Sequence, residues 1–219
     1  MAREHLPYPV YSMQISLSNA GKRFNREWIF RHFSHDFLPG NSYAITGPNG
    51  SGKSTLLQVI AGALTFSEGR ISYAAAGGNS IAADQAYRHI SIAAPYLELI
   101  EEFSAAEMLD FHARFKDLVL PKNEILSLVG LETAAGKQIR YFSSGMKQRL
   151  KLAQAFFSKG SVLLLDEPTT NLDADGIALY QQLIQDHSSG RLVIVSSNDK
   201  EEYAFCREVI AVGQYKTQE

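Results

Sequence analysis

Gly47-Pro48-Asn49-Gly50-Ser51-Gly52-Lys53-Ser54-Thr55 decides how the rest of the chain is read. The stretch satisfies G-x-x-x-x-G-K-[ST], the pattern of a phosphate-binding loop. The chemistry needs this spacing. Glycines let backbone N–H groups turn inward around phosphate oxygens, and a following helix points its positive dipole end at them. Lys53 brings a point charge to the β- and γ-phosphates, and Ser54 offers a hydroxyl to Mg²⁺. The flanks agree, since 43–46 reads as a short strand and 54–64 as a helix.

Working outward, Met13, Ile15 and Leu17 alternate with polar residues, as in a half-buried strand. Further strands are predicted at 28–37, 69–73, 90–94, 162–165, 192–196 and 209–212. The runs VLLL and LVIV within these have the composition of strands buried on both faces. Residues 74–83, AAAGGNSIAA, read as a small, flexible loop. After Pro95 the pattern turns helical. Ser104 and Glu107 form a capping box, with Phe103 and Met108 spaced for a hydrophobic staple, so a helix is predicted over 105–115. Pro121 and Gly130 bracket a second at 121–129, and a third starts near Gly145. Ile177, Tyr180, Leu183 and Ile184 share one face of a helix over 174–187. The sum is an α/β core sheet with a mostly helical insertion at about 95–150.

Two further stretches fit the phosphate loop. In Val162-Leu163-Leu164-Leu165-Asp166-Glu167 an apolar strand ends in acids at the carboxyl edge of the sheet, where α/β folds bind ligands. Asp166 is placed to hold Mg²⁺, and Glu167 to act as general base for a water attacking the γ-phosphate. In Phe142-Ser143-Ser144-Gly145-Met146-Lys147-Gln148-Arg149, small polar residues and a glycine open a helix, a second anion-ready N-terminus. The phosphate loop already wraps its side of the nucleotide. The simplest supplier of this second end is another copy of the chain.

Composition narrows the rest. The chain has 219 residues, 21 basic and 23 acidic side chains and a net charge of −2. That fits one large domain or two very small ones, and the near-neutral balance lacks the electrostatic footprint of a nucleic-acid binder. Its single cysteine, Cys206, excludes an intrachain disulfide and points to a reducing compartment. No run reaches the ~20 apolar residues of a membrane span, and residues 1–14 lack the apolar core of a signal peptide.

With GPNGSGKST, FSSGMKQR and VLLLDEPTTNLD in this order, the chain resembles the nucleotide-binding subunit of an ATP-binding cassette (ABC) transporter over about 13–213. The resemblance implies a P-loop NTPase core with a mostly parallel sheet, an N-terminal antiparallel β region and a helical insertion, one domain spanning 1–219. It implies MgATP bound by residues 47–55, metal held by Ser54 and Asp166, and catalysis by Lys53 and Glu167. It implies a head-to-tail homodimer in which Ser143, Ser144 and Gly145 meet the partner copy's γ-phosphate and Asp173 links the two sites. An aromatic residue upstream of the loop stacks adenine in this family, and Phe24 is the best-placed match, with Trp28 as rival.

The chain also departs from the family. Ser144 and Met146 break the usual L-S-G-G-Q, and methionine cannot supply the amide's hydrogen bonds. A glutamine usual after the strand at 90–94 is replaced by Pro95, and a γ-phosphate histidine by Asn198. Slow hydrolysis is therefore expected. The reading is an ATPase subunit at the cytoplasmic face of a membrane, driving a separate transmembrane permease, with Glu98, Glu101 and Glu102 either solvated surface or part of the docking site. The alternative is a non-transport ABC ATPase with slow turnover. His32 and His35 are read as strand residues without metal, Cys206 as a packed helix residue, and Lys147, Arg149 and Lys151 as a solvated face.

Overall fold

The computed structural model describes residues 12–75 and 77–216. Residues 1–11, on which the signal-peptide argument mostly rests, and Ala76 of the predicted loop lie outside them. Two sheets organise the chain. The first is antiparallel and contains β1 (Met13–Phe24), β2 (Glu27–Phe37), β4 (Glu68–Ala75) and the short β5 (Ser80–Ile81), in the order β2-β1-β4-β5. The second is parallel, with β3 (Ser42–Thr46), β6 (Ile90–Ala93), β7 (Val162–Asp166), β8 (Leu192–Ser196) and β9 (Glu208–Ala211) in the order β6-β7-β8-β3-β9.

Period-2 alternation explains why the central strands are apolar throughout. On β7 and β8, Val162, Leu164, Leu192 and Ile194 join a core shared with the antiparallel sheet and α1 (Lys53–Ile60). Leu163, Leu165, Val193 and Val195 face the opposite way, into a core shared with four helices. These are α2 (Ala105–Ala113), α3 (Lys122–Leu128), α4 (Ser144–Phe156) and α5 (Ala174–His187). Each such side chain contributes about 1.5–3 kcal/mol when fully buried, so both faces of the sheet are committed. α2, α3 and α4 all fall between β6 and β7, and α2, α3 and the first part of α4 occupy the span where the helical insertion is predicted.

Local chemistry sets the element ends. The capping box forms: Ser104 N–H donates to Glu107 Oε2 at 2.8 Å, and Glu107 N–H to Ser104 Oγ at 3.3 Å. Pro121 stands just before α3 as its N-cap residue, not inside its first turn. The helix predicted to reach 64 stops at Ile60. Ala63 N–H donates to Gln58 O and Gly62 N–H to Val59 O, both at 3.0 Å, the Schellman closure, with Gly62 at φ 72°. β5 lies inside the predicted loop, paired to β4 through Tyr73 and Ala74. The short helix α6 (Lys200–Tyr203) was not foreseen either. Cys206 lies just beyond it, packed against the helical core, and burial pushes its thiol up to about 12.

Candidate functional site

β3, β8 and β7 are neighbours in the parallel sheet. Their carboxyl ends therefore deliver the phosphate loop after Thr46, Asn198 after Ser196, and Asp166 with Glu167 to one edge. Backbone geometry makes the loop's glycines obligatory. Gly52 has φ 99°, and a Cβ there would lie 2.5 Å from Ile29 Cγ2; a Cβ at Gly47 would lie 2.6 Å from Ser51 Oγ. Asn49, Gly50, Gly52, Lys53, Ser54 and Thr55, with Ile29 of β2 and Glu167 just after β7, wall a cavity of about 410 Å³. Buried Lys53 donates from Nζ to the Gly47 carbonyl at 2.8 Å and the Pro48 carbonyl at 3.4 Å.

Asp166 is 1% exposed, and its Oδ1 has no hydrogen-bond partner among the described residues. Burial raises its carboxyl above the ordinary range, with the Ser54 and Ser196 hydroxyls opposing the rise. A buried carboxylate oxygen left open beside a serine hydroxyl and a lysine is a donor set that suits a hard, oxygen-seeking cation. Glu167 holds a left-handed backbone at φ 41°, fixed by its N–H donating to Ser196 O at 2.8 Å. Asn198 is brought to the loop: Gly47 N–H donates to its Oδ1 at 3.1 Å, and its Nδ2 donates to Asn49 Oδ1 at 3.4 Å.

The second anion-ready end is elsewhere. Ser143 caps α4, its Oγ accepting from Met146 N–H at 3.2 Å. Ser143, Ser144, Gly145 and Met146 line a separate cavity of about 270 Å³ with Asn171 and Asp173, and it shares no residue with the first. Asp173 caps α5 through Gly176 N–H at 2.8 Å and pairs with Arg149 at 3.2 Å. Those contacts, the backbone bond first, hold its carboxyl below the usual range. Phe24 is 47% exposed, with the Lys22 ammonium 4.9 Å from its ring centroid, and it is not part of the phosphate cavity's wall. Trp28 is engaged by the Arg31 and Arg23 guanidiniums at 4.5 and 5.5 Å.

One placement differs from the sequence reading. Lys147, Arg149 and Lys151 are not a merely solvated face: Lys147 pairs with Glu101, Arg149 with Asp173, and Lys151 donates to the Pro95 carbonyl at 2.9 Å. Glu98, Glu101 and Glu102 line the wall of a 650 Å³ groove along with Pro95 and Lys147. Among the described residues no cluster of ligating side chains surrounds His32 or His35.

Three residues escaped the sequence reading. Tyr96 follows Pro95, and its hydroxyl stands beside Gln58, one turn beyond Ser54 on α1. Burial, then the Asp166 charge, push its phenol well above the ordinary range. Buried Gln148 donates to the Pro168 carbonyl at 2.8 Å, joining α4 to the turn after Glu167. Glu202 is also buried and binds Thr169. Shifting the strand alignment by one residue would have found Tyr96. Nothing in the local sequence separates Glu202 from its exposed neighbour Glu201.

Comparison with known proteins identifies the family and the fold. The family model described as "ABC transporter" matches residues 30–170. An uncharacterized ABC transporter ATP-binding protein of Bacillus subtilis, YybJ, is 33% identical over 86% of this chain and 87% of its own. The cytochrome c biogenesis ATP-binding export protein CcmA of Xylella fastidiosa is 37% identical over 68% of this chain and 67% of its own. In fold, the chain is similar to a putative ABC transporter ATP-binding protein from Pyrococcus furiosus. The TM-score is 0.77 at 21% identity, over 93% of this chain and 100% of that one. A bacterial ABC transporter cassette solved as a dimer, MJ0796, matches at TM-score 0.75 and 22% identity, over 91% and 95%. The matched family span contains the phosphate loop, the α4 opening and the β7 acids, and with that agreement the chain belongs to the ABC transporter family, as an ATP-binding ATPase.

Proposed function

We propose that this chain is the ATPase subunit of a transporter, a single cassette over 1–219 with its helical subdomain at 95–150, driving a separate membrane-spanning permease from the cytoplasmic face. The observation that carries the reading is the separation of two anion-ready helix ends into cavities with no common wall residue. One chain presents half of two sites. A second copy related head to tail joins each phosphate loop to the other's Ser143, Ser144 and Gly145, with Asp173 at the seam.

Residues 47–55 cradle the phosphates, Lys53 answers their charge, and Phe24 offers an exposed ring for adenine. Ser54 and Asp166 hold Mg²⁺, which supplies charge neutralisation at the phosphates. Glu167 accepts the proton of the attacking water, and Asn198 supplies a neutral donor on the γ-phosphate side. The groove beside Pro95 and Glu101 receives the permease. Among the described residues no helix is long and apolar enough to cross a membrane. The Asn198 amide, already bound to Gly47 and Asn49, favours slow turnover, and with it the second reading of an ATP-driven switch outside transport.

The test uses tagged Glu167→Gln, which removes the base but keeps its shape. Hydrolysis falls about 10²–10⁴-fold, and the mass in solution doubles with MgATP. Purified from detergent-solubilised membranes of the native host, the trapped dimer brings a multi-span membrane protein with it. A monomer at high concentration with MgATP counts against the sandwich. A dimer that carries no membrane protein favours the switch.

A further inference from the structure

Glu202 is 3% exposed, and a carboxylate is costly to bury. Its Oε1 accepts from the Thr169 N–H at 2.7 Å and from the Thr169 hydroxyl. Its Oε2 is buried without a partner among the described residues. An apolar side chain would fill the same space without that cost, so packing alone does not account for the residue.

The surrounding bonds give it a task. Thr169 sits in the loop between β7 and α5, which carries Glu167 at one end and Asp173 at the other. Glu167 and Asn171 in this loop both have left-handed backbones, at φ 41° and 66°. Non-glycine residues keep such conformations only where neighbours over-determine them. The Glu202 carbonyl in turn accepts from Tyr180 Oη at 2.6 Å, tying α6 to α5. Four residues before Glu202, Asn198 binds the Gly47 N–H of the phosphate loop at 3.1 Å. The stretch between them is internally braced, with Glu202 N–H donating to Asp199 O at 3.1 Å and Glu201 N–H to Asp199 Oδ1 at 2.9 Å, and it is tied to β3 by Ser197 N–H donating to Ile45 O at 3.1 Å.

We infer that Glu202 is a positioning residue for hydrolysis: residues 197–202 form a bracket that holds the loop bearing Glu167 and Asp173, through Thr169, in register with the phosphate loop, through Asn198. The inference rests on the reading of Glu167 as the base. The bracket touches no reacting atom. It sets where Glu167 stands relative to the phosphates, and small misplacements of catalytic groups are costly in rate.

The experiment measures kcat, KM, MgATP affinity and the unfolding midpoint of the full chain for Glu202→Ala, Glu202→Gln, Thr169→Val and Thr169→Ser, with Glu167→Gln alongside. Glu202→Ala is expected to lower kcat about 10–100-fold while KM and MgATP affinity stay within about threefold. Glu202→Gln keeps an acceptor for the Thr169 N–H and recovers most of the loss. Thr169→Val loses only the hydroxyl bond and falls about 3–10-fold, and Thr169→Ser restores it. Turnover in Glu202→Ala within about twofold of wild type overturns the inference. So does a loss of turnover matched by an equal loss of MgATP affinity, the mark of a merely structural role. If Glu202→Ala does not fold, Thr169→Val decides, and unchanged turnover there overturns the bracket. Wild-type turnover in Glu167→Gln removes the base assignment and this inference with it, whereas loss there with unchanged bracket variants removes this inference alone.

Discussion

Two helix N-termini in this molecule are built for anions, and they are built differently. At the start of α1 the backbone wraps through Gly47, Gly50 and Gly52, all at positive φ, and a buried lysine and an acid close the cavity. At the start of α4 there is a serine cap and a glycine, and the cavity is smaller, about 270 against 410 Å³. It holds no lysine in its wall. On the proposed reading the first end is the phosphate cradle, and the second adds contacts to a phosphate held by a partner copy. A helix dipole supplies direction at both, but wrapped backbone N–H groups exist at one, and the cation at the second end, Arg149, is already paired with Asp173.

The strongest way to break this contrast is a mixing experiment. Lys53→Ala removes the cradle's charge and is expected to lower hydrolysis by more than about 100-fold. At Gly145 an added Cβ would lie 3.1 Å from the Asn171 carbonyl, so Gly145→Ala strains the α4 end without touching the cradle. It should retain ATP binding and lose most turnover. Mixed, the two variants form heterodimers in which one composite site pairs an intact cradle with an intact α4 end, and turnover reappears. Two inactive variants that stay inactive when mixed, despite MgATP-dependent dimers, would show that both ends serve one nucleotide within a single chain.

The same contrast explains what was legible beforehand. The cradle is contiguous, and its glycines, lysine and serine announce themselves by spacing. The parallel strands β7 and β8 were legible for a related reason, since burial on both faces leaves unbroken apolar runs. Tyr96, Gln148 and Glu202 act across the fold, on Gln58, Pro168 and Thr169 respectively. No local pattern records a partner decided by sheet register and helix packing. Bounds failed where a tertiary contact intervened. Gly62 closes α1 early, with the Tyr73 hydroxyl donating to the Ile60 carbonyl at 3.1 Å. The pairing of β5 with β4 turned part of a small-residue loop into strand.

A smaller effect sharpens what the cradle costs the fold. Asp166 is buried with an open oxygen, and burial raises its pKa. A raised carboxyl pKa means that the charged form is disfavoured in the folded chain. The penalty is full at neutral pH and fades as pH falls from the raised value towards the unfolded value of about 3.9. Asp166→Asn should therefore raise the stability of the nucleotide-free chain by about 1–2 kcal/mol at pH 7, with the gain shrinking on acidification. Denaturant unfolding at several pH values checks this. A variant less stable at pH 7, or a gain that grows as pH falls, would mean that Ser54, Ser196 and Lys53 already compensate the charge.

The smallest expected effect lies at the boundary of the cradle. Asn198 bonds the loop twice, accepting from Gly47 N–H and donating to Asn49. A neutral histidine can do both with its two ring nitrogens, one accepting and one donating. It can also take up a proton as negative charge grows on the phosphate, which asparagine cannot. Stabilisation aimed at developing charge acts on the transition state more than on bound nucleotide. Asn198→His should thus raise turnover about 3–10-fold, equivalent to roughly 1 kcal/mol of barrier, with MgATP affinity little changed. Single-turnover hydrolysis at saturating MgATP reads the chemical step apart from product release. If the variant binds nucleotide normally and hydrolyses it no faster, the work of Asn198 ends at Gly47. It would then be a strut of the cradle, and the rate would be set by how well the loop bearing Glu167 is held.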